Sequence, residues 1–239
     1  MKKSIVAVSI LTGIVMLCTG CVDLGNNNTD PPVRAFVVGP EIPGNGGEVS
    51  GDARETEHAF IPENSGIWVF KMTMGGDGGV SLEIVFPDDS IVKTDGYHSA
   101  YLLEGSTYKI IAGVWTYTAG NKNSYVLTVS PAEPIPDVGG EFHIDRHTTY
   151  SFTPTRTGVW TFQTSNNGDT VPFININDRL RGIPGPYNNS GANGNNALIT
   201  AEFEEGVAYS IELGFYLQQS GEFTLTVSPV EPPDDDGPI

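Results

Sequence analysis

The sequence predicts an all-β protein made of two tandem antiparallel β-sandwiches, and three observations lead to this fold class. Blocks of sequence recur in the same order in the two halves of the chain. Within the blocks, apolar residues alternate with polar ones, which is the period of a half-buried strand. The 239 residues include 29 Gly and 17 Pro, a composition typical of many short strands joined by tight turns.

The repeat is clearest around one tryptophan in each half. The stretch AFIPENSGIWVFKM at Ala59–Met72 matches SFTPTRTGVWTFQT at Ser151–Thr164, with Phe, Pro, Gly, Trp and Phe in the same places. Further matches pair Ile42–Val49 with Ile135–Phe142, Glu104–Ile110 with Glu205–Ile211, and Tyr125–Pro134 with Phe223–Pro232. Copies of this length have the size of domains, so the chain is a tandem pair and not a solenoid.

Strands are predicted wherever the alternation persists between turn residues. Trp68 and Phe70 share one face of a predicted strand, and Trp160 and Phe162 share the equivalent face in the second copy. We expect both faces to lie in a core. We expect about seven strands in each copy. Residues 64–66 and 156–158 each end in Gly, and we expect them to be hairpin turns in which the Gly takes a positive φ.

The N-terminus has the pattern of an export signal. Lys2 and Lys3 precede an apolar run, Ile5–Leu17, which is short for a membrane span. The run leads into Cys-Thr-Gly-Cys, an ending that resembles the lipobox of bacterial lipoproteins, although Leu is usual where Cys18 stands. The resemblance implies removal of residues 1–20, lipidation of Cys21 and attachment to a membrane through that lipid. An ordinary secretory signal with an incidental Cys is the alternative.

Composition divides the rest of the chain into four parts. Residues 21–34, with an Asn run and Pro-Pro, are expected to be a flexible tether, and residues 231–239 an acidic disordered tail. Residues 35–131 and 132–230 are the two predicted sandwiches. The Pro-rich SPAEPIPD at Ser130–Asp137 shows no strand pattern, and we expect it to link two domains that each fold alone.

A series of motifs in each copy points to a known family. In the second copy the series is a strand, a Gly turn, a strand, a Gly-Asp loop, an apolar strand and two closing strands. The pieces are Tyr150–Pro154, Gly158–Thr164, Gly168–Asp169, Phe173–Ile176, Phe203–Ile211 and Gly221–Val227. The series resembles the bacterial pre-peptidase C-terminal domain, and the first copy resembles it in the same way. The chain departs from the family because a second Asp shortly after Gly-Asp is missing in both copies, and because no peptidase domain precedes the repeats.

This resemblance carries its own expectations about fold and function. It implies a jelly-roll-like, non-catalytic β-sandwich of the kind found on secreted and surface proteins. Such domains assist targeting or substrate contact, and some of them bind calcium.

The charge balance and the motif content restrict the function. The formal net charge is −17, from 29 acidic residues against 12 Lys and Arg. Such a surface repels phosphates, which argues against nucleic acid as a partner. The sequence contains no Gly-x-Ser-x-Gly elbow, no His-Glu-x-x-His and no phosphate-binding Gly loop. We therefore expect no enzymatic activity.

Two sets of residues are candidates for binding a metal ion. His143 and Asp145 lie in HIDRH, where alternate residues of one strand point to the same side and two neighbours could chelate an ion. Asp77 and Asp169, each in a Gly-Asp loop, could contribute to calcium sites. The alternatives are a solvated edge strand for the first set and solvated turns for the second. No other cofactor is expected.

Aromatic residues in predicted loops are the candidates for ligand binding. They are Trp115 and Tyr117 in the first copy, and Phe215, Tyr216 and Tyr187 in the second. The first four flank the hairpin between the last two strands of their copy, where they could stack on sugar rings or cap the end of the sandwich. Tyr187 lies in an insertion of the second copy, residues 179–196, which is either a binding loop or a passive one.

Together these observations predict a non-catalytic cell-surface lipoprotein whose two β-sandwiches serve as a binding or spacer module. The alternative is a glycan-binding lipoprotein that captures polysaccharide. We expect the protein at the bacterial cell envelope, with the membrane as one partner through Cys21 and an extracellular glycan or protein as the other.

Overall fold

The protein is all-β, which confirms the predicted fold class. The computed structural model describes residues 37–52, 55–116, 123–166, 171–178, 183–189, 196–215 and 221–231, with only the backbone of 183 and 184. The regular structure in these ranges consists of strands, and none of it is a helix long and apolar enough to cross a membrane. Phe36–Ile239 forms one compact unit that contains both copies.

Two sheets form the first copy. Its strands are β1 (Val37–Val38), β2 (Gly47–Gly51), β3 (Thr56–Phe60), β4 (Gly66–Gly75), β5 (Gly79–Val85), β6 (Ile91–Thr94), β7 (Tyr97–Leu102), β8 (Tyr108–Trp115) and β9 (Ser124–Pro131). One sheet has the order β1-β3-β8-β5-β6, and the other has the order β2-β9-β4-β7.

The second copy repeats this topology strand for strand. Its strands are β10 (Glu133–Pro134), β11 (Gly140–Ile144), β12 (Thr148–Phe152), β13 (Gly158–Ser165), β14 (Pro172–Asp178), β15 (Ile183–Asn188), β16 (Leu198–Phe203), β17 (Tyr209–Phe215) and β18 (Phe223–Pro229). The two orders are β10-β12-β17-β14-β15 and β11-β18-β13-β16.

Each copy therefore has more strands than the sequence predicted. The additional strands are short edges, of which β1 and β10 have two residues each and pair in parallel with β3 and β12. A segment this short gives no alternation to detect. The described part of the insertion in the second copy also forms an edge strand, β15, which pairs with β14 across a register shift.

The predicted hairpins at residues 64–66 and 156–158 are wrong. Strands β3 and β4 lie in different sheets, as β12 and β13 do, so each of these loops carries the chain from one sheet to the other. The strand before the loop and the strand after it then face each other across the core. The ring centroids of Phe60 and Trp68 are 4.9 Å apart with an interplanar angle of 71°, and those of Phe152 and Trp160 are 5.0 Å apart at 72°.

Gly66 and Gly158, the first residues of β4 and β13, also lack the positive φ that we expected of a hairpin turn. Positive φ occurs instead at a second repeated turn, at Gly105 (70°) and Gly206 (73°). These glycines donate their backbone N–H groups to the carbonyl oxygens of Pro62 and Pro154, at 3.0 and 2.9 Å. The repeated Glu-Gly turn is thus bonded to the repeated crossover loop.

A tyrosine in each copy closes the same turn from the core side. The Tyr108 hydroxyl accepts from the N–H of Leu103 at 2.8 Å, and the Tyr209 hydroxyl accepts from the N–H of Glu204 at 3.0 Å. Both rings are buried, so the hydroxyl needs a partner and the turn supplies it. This contact explains why the sequence repeats Glu-Gly with a Tyr three positions after the Gly.

The segment between the copies is not a loop linker. Pro131 ends β9, Glu133 begins β10, and Ala132 alone separates the last strand of the first copy from the first strand of the second. Ala132 also donates its N–H to the carbonyl oxygen of Ile67 at 2.8 Å. The Pro-rich segment therefore continues the sheet pairing of both copies, contrary to our expectation that it contains no strand.

Candidate functional site

The junction between the copies is built around one pair of rings. Tyr97 begins β7 of the first copy, and His147 lies in the turn between β11 and β12 of the second. The rings stack with centroids 3.9 Å apart and an interplanar angle of 26°. The Tyr97 hydroxyl is hydrogen-bonded to Oγ1 of Thr149 at 2.8 Å. Burial raises the pKa of Tyr97 well above its ordinary value, so the phenol stays protonated and available for this bond.

His147 is held in place from the second copy. Its Nε2–H donates to Oε1 of Glu212 at 2.8 Å, and Nδ2 of Asn175 donates to Oε2 of the same carboxylate at 3.0 Å. The ring of Phe173 lies edge-on to His147 with centroids 5.7 Å apart. These contacts fix the imidazole plane against which Tyr97 stacks.

Gly214 permits this close packing. A Cβ atom on Gly214 would lie 2.8 Å from the ring of Phe173 and 3.4 Å from Cδ2 of His147. Gly214 belongs to β17, which pairs with β14, the strand of Phe173, and with β12, the strand that follows His147. The glycine therefore lies beneath the rings of Phe173 and His147. Any larger residue would therefore displace the Phe173 ring that supports His147.

Beside the ring pair lies a cleft of about 410 Å³ that both copies line. The first copy contributes Val69, Lys71, Tyr97, Thr128, Ser130 and Pro131, and the second contributes Glu133, Arg146, His147, Thr148 and Thr149. Apart from the aliphatic groups and the rings, this lining consists of hydroxyls, two cations and one carboxylate. The volume lies in the range typical of small-molecule sites.

Trp115 is the candidate ligand-binding residue with an exposed indole in the first copy. It ends β8 and is 45% exposed, and its ring lies over Gly79, where a Cβ atom would overlap the indole. Nearby, the buried Asn123 donates through Nδ2 to the backbone carbonyl of Asp77 at 2.7 Å. Tyr117, the second aromatic residue predicted to bind a ligand in this copy, lies outside the described residues.

In the second copy, the prediction for Phe215 is corrected by the structure. Phe215 is 8% exposed and packs edge-on against Phe223 with centroids 5.3 Å apart, so it is a core residue and offers no face to a ligand. Tyr216 lies outside the described residues. Tyr187 of β15 is 53% exposed, and its centroid is 6.1 Å from that of Phe173. Tyr187 therefore extends the row of rings that leads through Phe173 and His147 to Tyr97.

The structure separates the polar residues of HIDRH. Strand β11 ends at Ile144, so His143 and Asp145 do not share one face of a strand as we expected. His143 Nε2 lies 3.8 Å from a carboxylate oxygen of Glu222, whereas Asp145 lies 3.9 Å from Nε of Arg146. The chain turns between them to pass from one sheet to the other, and this turn is what delivers His147 to the junction.

The predicted metal-binding residues do not form a cluster in the part of the chain that the structure describes. Within the described ranges, no group of three or more His, Cys, Asp or Glu side chains is arranged to hold a metal ion. The side chain of Asp77 is exposed. Asp169 and the acceptor Cys21 lie outside the described residues.

The sequence did not predict that the junction residues form a site. Tyr97 and Thr149 are distant in sequence, and no motif connects them. One signal in the sequence could have found them. Aligning the two copies shows which residues on the solvent-facing side of the strands differ between the copies. Leu198 stands where the first copy has Tyr97, and Gln163 stands where it has Lys71.

Comparison with known proteins adds little to this geometry. No family model matches the chain, and no curated protein matches it. Among solved structures, one from Eubacterium rectale, of a protein inferred to be secreted, is similar over 77% of this chain and 74% of that chain. The identity is 10% and the TM-score is 0.18, so this similarity carries no argument about fold or function.

Proposed function

We propose that the protein is a non-catalytic, lipid-anchored module of the bacterial cell envelope that holds its second β-sandwich at a fixed position relative to the first. The observation that carries this proposal is the junction. A single residue, Ala132, connects the two sheet systems, and the Tyr97–His147 stack with its bond to Thr149 ties the copies together a second time. Two separate attachments oppose hinge motion better than one.

The anchor in this proposal is Cys21, supported by the lipobox-like ending of the apolar N-terminal run. Between Cys21 and the first described strand, the sequence predicts a tether over residues 21–34. A flexible chain of this length has a root-mean-square end-to-end distance of about 20 Å. The tether would keep the sandwiches clear of the lipid headgroups while the junction keeps them aligned.

The two predicted roles, spacer and binding module, agree with the resemblance of both copies to the pre-peptidase C-terminal domain. Glycan capture is a second candidate, and the exposed indole of Trp115 favours it. An indole with one exposed face is suited to stacking on a sugar ring. Loss of retention on polysaccharide in Trp115→Ala, with an unchanged melting temperature, is the expected result for this candidate.

The anchor is tested by cell fractionation and mass spectrometry. Cys21→Ala is expected to move the protein from the membrane fraction to the soluble fraction and to abolish the lipid mass. Cys18→Ala is the matched control, because it removes the other thiol of the chain and leaves the acceptor in place. A Cys21→Ala protein that remains in the membrane fraction, or a wild-type protein without lipid mass, would contradict the proposal.

The fixed junction is tested by distance measurements. Spin labels placed on Cys introduced at exposed positions, one in each sandwich, should give a narrow distance distribution in the wild type. Tyr97→Ala should broaden it, because it removes one of the two attachments. A distribution equally broad in both proteins would show that the stack does not hold the copies.

A further inference from the structure

The cleft beside the junction exists only because the two copies are joined, so it is a place where function can arise that neither copy has alone. We propose that this cleft binds a carboxylate-bearing sugar, with the carboxylate between Lys71 and Arg146 and the hydroxyl groups on the surrounding Thr and Ser side chains. This inference goes beyond the proposed spacer role and does not depend on the lipid anchor.

The first argument is the position of the positive charges. The Lys and Arg side chains that the structure describes are Lys71, Lys93, Lys109, Arg146 and Arg156. Lys93 forms a 2.8 Å ion pair with Glu83, and Lys109 lies 4.0 Å from Glu57. Two of the other three border this one cleft, in a chain whose formal net charge is −17.

These two cations are available to a ligand. Among the described residues, the side chain of Lys71 makes no ion pair and no hydrogen bond, and it is exposed. Arg146 approaches Asp145 through Nε at 3.9 Å, which is longer than a hydrogen bond, and both side chains are mostly exposed. The guanidinium can therefore present paired N–H groups to a carboxylate.

The second argument is the charge that the site can match. The lining contains Lys71, Arg146 and one carboxylate, Glu133, and His147 is already bonded to Glu212. Lys71, Arg146 and Glu133 together carry one formal positive charge. A ligand with a single negative charge complements this site, whereas a phosphate dianion would leave an excess of negative charge beside Glu133.

The third argument is the polar character of the remaining lining. Thr128, Ser130 and Thr148 place hydroxyls around the cleft. The Thr128 hydroxyl donates to Glu48 at 3.2 Å and can still accept, and the other two can both donate and accept. Sugar hydroxyls have the same dual capacity. The cleft of about 410 Å³ is large enough for a monosaccharide, and the stacked rings of Tyr97 and His147 form one wall of it.

The test is a ligand-observed NMR titration of the full chain, purified in a neutral detergent. Sodium D-glucuronate should bind, D-glucose should bind more weakly by about tenfold or more, and added salt should weaken glucuronate binding. Glucose 6-phosphate tests whether the site prefers a single negative charge, and it should bind less tightly than glucuronate. Tighter binding of the phosphate, or equal binding of glucose and glucuronate, would overturn the proposal.

Two substitutions locate the site. Lys71→Gln introduces the residue that the second copy has at the equivalent position, and Arg146→Gln removes the other cation without a change of fold. Each should weaken glucuronate binding about tenfold, the loss expected for one charge-assisted contact. Lys109→Gln, which removes a Lys that does not line the cleft, is the control and should leave binding unchanged. Full binding by both cleft variants, with native circular dichroism, would place glucuronate elsewhere and refute the assignment.

Discussion

The junction gives the most demanding prediction, because its two contacts can be removed separately. Tyr97→Phe deletes the hydroxyl that is bonded to Thr149 and keeps the ring that stacks on His147. Tyr97→Ala removes both contacts. The difference between the two variants therefore isolates the stack from the hydrogen bond.

The size of each effect follows from the geometry. The hydrogen bond is 2.8 Å long and partly buried, and its loss should lower the free energy of unfolding by about 1 kcal/mol. The stack should contribute about 0.5–1.5 kcal/mol. Because the His147 side chain is 41% exposed, the lower half of that range applies. Tyr97→Ala should thus cost about 1.5–2 kcal/mol, against about 1 kcal/mol for Tyr97→Phe.

The assay is a double-mutant cycle on unfolding in urea, with His147→Ala as the second substitution. Tyr97→Ala and His147→Ala should show a coupling energy of about 0.5–1 kcal/mol, since they remove the same stack. Tyr97→Phe and His147→Ala should be nearly additive. Additive effects of Tyr97→Ala and His147→Ala would refute the stack, and equal costs of the two Tyr97 variants would refute its contribution to stability.

Three further predictions concern the interior, each checked by urea or thermal denaturation. Trp160→Ala should cost about 3–5 kcal/mol, because the indole is 1% exposed; a variant as stable as the wild type would contradict its position in the core. Tyr209→Phe should cost about 1 kcal/mol through loss of the bond to Glu204, and the equivalent substitution in the first copy should cost the same. His58→Leu should cost about 2–3 kcal/mol, since it removes the bonds of the buried imidazole to Pro40 and Tyr125; a stabilised variant would show that packing outweighs them.

The sequence predicted the fold class correctly for a physical reason. A sheet with one buried face imposes an alternation of period two, and the strands around Trp68 and Trp160 keep it for several residues. The short edge strands β1 and β10 were missed because two residues cannot show a period. Their pairing depends on backbone hydrogen bonds to β3 and β12, which leave no pattern in the side chains.

The mistaken hairpins show what a local pattern leaves undecided. A loop such as residues 61–65 has the Pro, Asn and Ser typical of a tight turn whether the next strand pairs beside the first or crosses to the other sheet. Phe60 and Trp68 would face the same core in both cases. The choice is made by β8, which pairs with β3, and by β7 and β9, which pair with β4. Those partners are remote in the sequence.

The candidate site was beyond local sequence reasoning for a similar cause. His147 lies in the same HIDRH stretch as His143 and Asp145, which we expected to share one face of a strand. A bend of the chain after Ile144 separates these residues and brings His147 to Tyr97. Lipidation of Cys21 and the parts assigned to Tyr117, Tyr216 and Asp169 stay predictions.

The difference between the two copies is the best guide to function in a duplicated fold. Equivalent core positions agree, since Trp68 and Trp160 are 3% and 1% exposed. Equivalent outward positions do not, because Ile67 is 3% exposed whereas Val159 is 38% exposed. Burial of an outward residue in one copy alone cannot be a requirement of the fold, which both copies satisfy. The backbone hydrogen bond at this position does not account for the difference, since Ile67 accepts from Ala132 and Val159 accepts from Val230, each at 2.8 Å. What differs is that the first copy is followed by the second. The two copies therefore differ on the face of the first that also carries Tyr97 and Lys71, the residues on which the proposed junction and its cleft depend.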